Sequence, residues 1–122
     1  MGHLGLLDGD GQPRVLPVTY AIREQAVWTA IDNKPKASDR ELARVRWLRE
    51  RPSAAFTVDR YEDNWSRLCW VQLLGTVSII EGPPEGPLLD VLCQRYPQYR
   101  DEPPPGPLLR LSAERALWWR AA

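Results

Sequence analysis

Short apolar runs separated by clusters of Gly, Pro, Asp and Asn dominate the chain, the pattern of β-strands joined by turns. His3 to Leu7 is the first run, and Asp8-Gly9-Asp10-Gly11 ends it with residues that tolerate positive φ. Arg14 to Ile22 resumes as a β-rich run. Pro17 within it lacks a ladder donor and predicts an edge strand or a bulge. Arg23-Glu24-Gln25 is a polar turn and Ala26 to Ile31 a third strand, so the opening elements are expected to form a meander.

A polar loop, Asp32 to Ala37, leads to Ser38, with Glu41 at capping-box spacing for a helix start. Leu42, Val45 and Leu48 give that helix one apolar stripe, while Arg40, Arg44, Arg46, Arg49 and Arg51 take other faces, and Pro52 stops it. Ala54 to Val58 is a fourth strand, Asp59 to Asn64 a loop, and Leu68 to Glu81 a long strand expected to bend at Gly75. Pro87 suits the first position of a second helix over Leu88, Leu89, Val91, Leu92 and Tyr96. Leu108 to Leu111 and Arg115 to Trp119 form a broken final strand. About six strands with two short helices predict a mainly β fold with an antiparallel, barrel-like sheet, one domain over residues 1–122.

Composition narrows the partners. Sixteen basic residues balance sixteen acidic ones, so nothing draws the chain toward nucleic acid or an anionic membrane in general, and any anion site must be local. Cys69 and Cys93 are too few for a disulfide framework and have no metal-ligand spacing; Cys69 reads as a small hydrophobe in a strand. With no apolar run approaching a membrane span and no signal-peptide pattern, the expectation is a cytoplasmic protein.

Histidine chemistry is absent. His3 is the only histidine, which excludes a Ser-His-Asp triad and a His-rich metal site, and no Gly-rich phosphate loop occurs. Three segments remain. Lys34 and Lys36 lie on a loop between a strand and a helix start, where two ammonium groups beside free amides suit a phosphate; the alternative is a pair of solvated lysines. In Trp65-Ser66-Arg67-Leu68-Cys69-Trp70, an indole can stack on a planar ring while Arg67 bonds ring carbonyls or phosphate. The alternative there is packing, with Trp70 in a core and Arg67 at a dimer edge. Trp118-Trp119 places one indole on each face of the last strand, one expected to pack inward and the other to be covered by a partner or ligand.

These segments, in this order, resemble the pyridoxamine 5'-phosphate oxidase-like split β-barrel family, in particular its deazaflavin-dependent branch. The matching stretches are Gly9 to Arg14, Pro17 to Tyr20, Ala30 to Lys36, Arg51-Pro52, Trp65 to Trp70, and Arg95-Tyr96-Pro97-Gln98-Tyr99, and together they span nearly the whole chain. The resemblance implies a homodimer with cofactor sites at the subunit interface. It implies that Lys34 and Lys36 hold the cofactor phosphate, that Ile31 and Asp32 line its tail through backbone contacts, that Arg67 and Trp70 complete the pocket, and that Thr19 faces the ring. Two departures stand out: the family's N-terminal helix does not precede the first strand, and Cys69 replaces a commoner aromatic residue. The expected function is hydride transfer from reduced coenzyme F-420 to a small organic acceptor, with the ring supplying the chemistry. FMN is the rival cofactor, and a non-catalytic cofactor carrier or a haem-binding protein are the rival functions.

Overall fold

The computed structural model describes residues 1–31 and 42–121. Its strands start where side-chain and backbone chemistry permit a tight reversal. β1 (Gly2–Leu7) and β2 (Pro13–Val18) form a hairpin around Asp8, whose carboxylate accepts from the amides of Asp10 (3.0 Å) and Gln12 (2.9 Å). Gly11 in that turn has φ +76°, a conformation that favours glycine. β3 (Tyr20–Arg23) and β4 (Ala26–Thr29) form a second hairpin, with Glu24 and Gln25 both at positive φ in the turn.

α1 (Ala43–Glu50) follows, then β5 (Ser53–Arg60), a 3-10 turn at Trp65–Arg67, and β6 (Cys69–Ile80). α2 (Gly86–Arg95), the short α3 (Gln98–Asp101) and β7 (Leu108–Arg120) complete the chain. The seven strands form one sheet in the order β2-β1-β5-β6-β7-β4-β3, with every neighbouring pair antiparallel.

That order corrects the expected meander. β2 and β3 are sequence neighbours but occupy opposite edges of the sheet, with Thr19 alone between them. Two trans peptides span no more than about 7 Å, so the sheet must curl until its edges nearly meet. The result is an antiparallel half-barrel, split between β2 and β3. Pro17 lies on β2, at one of these edges, where its missing amide costs no ladder bond.

The final strand is continuous rather than broken. Leu74 pairs with Arg115 and Gly75 with Ala113, so Glu114 is the extra residue of a bulge on β7. Gly75 is required opposite it, because a Cβ there would run into the carbonyl oxygen of Ser112. The predicted bend is therefore present, as a bulge shared by two unbroken strands.

The barrel interior is filled by Leu4, Leu6, Val18, Tyr20, Val27, Ile31, Phe56, Val77, Leu109 and Leu111, and α1 closes it with Val45 and Leu48. Leu42 packs against this core as expected, but it stands just ahead of the helix in extended geometry and no side chain caps that end. The Ser38–Glu41 pair lies outside the described residues. α2 and α3 cover the outer face of β3, β4 and the start of β7, where Leu88, Leu92 and Tyr99 meet Ala21, Ala30 and Leu108. Among the described residues, no helix is long and apolar enough to cross a membrane.

Candidate functional site

Beyond the bulge, β5, β6 and β7 run on as a three-stranded extension, and its register fixes what each face presents. Thr57, Gln72 and Leu117 stand opposite one another, as do Val58, Val71 and Trp118 in the next row. Asp59, Trp70 and Trp119 form the third row, and Arg60, Cys69 and Arg120 the fourth. Residues opposite one another share a face and successive rows alternate, so one face carries Trp118 and the other Trp70 and Trp119.

None of these indoles is buried. Trp118 is 69 % exposed, Trp119 46 % and Trp70 39 %, and Val71 beside them is 44 % exposed. The expectation that one of Trp118 and Trp119 packs inward is thus corrected, as is that of Trp70 in a core. In the inward-directed row beyond Phe56 and Leu73 only Val58 still packs against the core, which leaves Val71 and Trp118 uncovered.

The Trp70 face holds a concavity of about 390 Å³, lined by Thr57, Asp59, Arg60, Tyr61, Leu68, Cys69, Trp70 and Trp119. Sequence reasoning placed Asp59 in a loop and attached no role to it or to Tyr61. The signal was the alternation Thr57, Asp59, which continues the outward positions of β5 to its end.

The remaining predicted site residues are spread along the chain. Arg67 lies in the 3-10 turn at the edge of the extension, with its Nε 2.9 Å from Glu62 Oε1. Trp65, 70 % exposed, begins the same turn. Thr19 is buried at the junction of β2 and β3, with its hydroxyl 2.8 Å from that of Tyr99. The neighbouring Tyr20 amide donates to the Tyr96 hydroxyl at 3.1 Å. Arg95 lies over the Tyr20 ring, 4.2 Å from its centroid, and its hydrogen bond to the Tyr20 side chain raises its pKa. Thr19 therefore ties the barrel junction to α3, and Tyr20 ties it to the end of α2. Ile31 is a buried core residue, which leaves only its backbone for a ligand. Asp32, Lys34 and Lys36 lie outside the described residues. The structure thus brings Trp70 and Arg67 to one corner and holds Thr19 and Ile31 in the barrel.

Comparison with known proteins bears on the fold. No family model matches the chain, and no curated protein matches it. Solved structures do match. A conserved hypothetical protein of Mycobacterium tuberculosis, Rv2991, superposes with a TM-score of 0.73 at 21 % identity, over 98 % of this chain and 76 % of that one. A FAD-binding protein of Mesorhizobium loti gives 0.65 at 19 % identity, over 96 % and 81 %. An F-420 reductase gives 0.65 at 20 % identity, over 95 % and 87 %. A haem-binding protein of Mycobacterium smegmatis and a haem storage protein of Vibrio cholerae share the same architecture. The curled seven-stranded sheet and these superpositions establish the fold as a split β-barrel.

Proposed function

We propose that this chain is a flavin- or deazaflavin-binding oxidoreductase that works as a homodimer and passes hydride from reduced coenzyme F-420 to a small organic acceptor. The observation that carries the reading is the uncovered aromatic extension, on a fold shared with a FAD-binding protein and an F-420 reductase. Exposed apolar surface on both faces of a three-stranded ribbon marks a binding surface rather than a stable end state. A second copy seated on the Val71–Trp118 face would cover its most exposed indole.

In this reading Lys34 and Lys36 hold the phosphate, next to the backbone of Ile31 and Asp32, and Arg67 with Trp70 closes the ring end. The Ile31 side chain is buried, so its backbone is the part open to a ligand. Thr19 acts from behind, by holding Tyr20 and the β2–β3 junction in place. The bound ring supplies hydride transfer, so the protein needs only to orient, desolvate and neutralise charge. FMN is the alternative cofactor. The haem reading is less well supported, because the sole histidine, His3, is exposed on β1 and offers no interior ligand.

Equilibrium titration with coenzyme F-420 and FMN tests the reading. F-420 should bind more tightly, and Lys34→Ala and Lys36→Ala should each cost about 1–3 kcal/mol of cofactor binding. Unchanged affinity in both variants would remove the phosphate assignment.

A further inference from the structure

The Asp59 face of the extension presents a different chemistry from the lysine loop. Asp59, Trp70 and Trp119 are direct neighbours across β5, β6 and β7, which sets a carboxylate beside two indoles on one face. Thr57, Arg60, Tyr61, Leu68 and Cys69 complete the concavity around them. Asp59 makes no ion pair among the described residues. Neither adjacent arginine pairs with it. Arg60 lines the same concavity but stands in the row of Cys69 and Arg120 and forms no ion pair with Asp59, and Arg67 is paired with Glu62.

On the indole face itself the charged group is Asp59, which no ion pair neutralises, so a cation seated there meets a carboxylate and two aromatic faces. A substituted ammonium that cannot donate hydrogen bonds suits it best, because indole faces offer it favourable electrostatics without demanding directional partners. We propose that this concavity binds a small quaternary ammonium group, seated on the indoles of Trp70 and Trp119 with Asp59 as its counter-ion. Trp70 is common to this site and to the cofactor reading, whereas Asp59 and Trp119 belong to this site alone, so the two assignments can fail separately.

Calorimetric titration of the full chain with choline, and with its neutral isostere 3,3-dimethylbutan-1-ol, tests the proposal. Choline should bind saturably, one per chain, and the neutral alcohol at least about tenfold more weakly. Asp59→Asn and Trp119→Leu should each weaken choline by about tenfold, with circular dichroism unchanged. FMN affinity should be the same in Asp59→Asn as in the parent chain. Equal binding of the two probes, no saturable binding at millimolar choline, or choline affinity insensitive to Asp59→Asn would overturn the proposal. Loss of FMN binding in Asp59→Asn would give the pocket to the cofactor instead. Dissociation of an oligomer by the same substitution would give the face to a second copy, and either result overturns the cation site.

Discussion

Between Thr76 and Ile80, β6 pairs with Leu108–Ser112 of β7 with the inner face of both strands buried. Val77, Leu109 and Leu111 point into the barrel, and Leu108 lies beneath α2 on the outside. Beyond Leu73, which still packs against the core, the same two strands run on with comparable apolar content and little cover, so Val71, Trp118, Trp70 and Trp119 stay exposed. The bulge at Glu114 lies between the halves. Burial, rather than strand pairing, thus distinguishes a half that holds the fold from a half that is available for recognition.

Paired substitutions test that division most strongly. Leu111→Ala, deep in the barrel, should cost about 2–5 kcal/mol in chemical denaturation. Trp118→Ala should stay within about 0.5 kcal/mol for the isolated chain, despite the larger side chain removed. Equal losses would mean that the extension is structurally essential and would break the comparison. If the extension pairs two copies, light scattering of the parent chain should report about twice 14.0 kDa, and Trp118→Ala should shift the mass toward the single chain.

The boundary between the halves can be attacked at Gly75. A methyl group there meets the Ser112 carbonyl, so Gly75→Ala should destabilise by about 1–3 kcal/mol and loosen the register beyond the bulge. A smaller effect is expected at the closure of the barrel. Thr19→Val removes the hydroxyl that meets Tyr99 and should cost about 0.5–1.5 kcal/mol, with little change in cofactor binding if Thr19 acts only through Tyr20.

The smallest effect concerns pH. Hydrogen bonds from the Gln12 amide, and then the Asp10 amide, hold the Asp8 carboxyl below its ordinary value of 3.8. A carboxyl depressed on folding stabilises above the unfolded value, and the contribution is lost as pH falls through the folded one. Asp8→Asn should therefore lower stability slightly at neutral pH and flatten the acid limb, the variant and the parent chain converging as Asp8 is protonated.

Local chemistry was the legible part of the sequence. The Asp8–Gly11 turn, the stop at Pro52, the apolar stripe Val45–Leu48 and the bend at Gly75 each follow from one residue's backbone or side-chain preference. Topology was not legible in the same way, because nothing local tells Val18 and Tyr20 that they belong to opposite edges of one sheet. The continuous β7 was hidden because a bulge at Ala113–Arg115 interrupts the period-two pattern without ending the ladder. At the candidate site, Trp70 was singled out from its type and setting. Asp59 was missed because a charged residue at a strand end reads as loop until its cross-strand neighbours are known.

The central proposal, that Lys34, Lys36, Arg67 and Trp70 serve a flavin-type cofactor site, is tested most directly by the bound chromophore. The chain should be purified from a host that makes both FMN and coenzyme F-420, its absorbance spectrum recorded, and its stoichiometry with each cofactor titrated. The account predicts one deazaflavin per chain, with FMN binding more weakly at the same site. A colourless protein that takes up neither cofactor would contradict it.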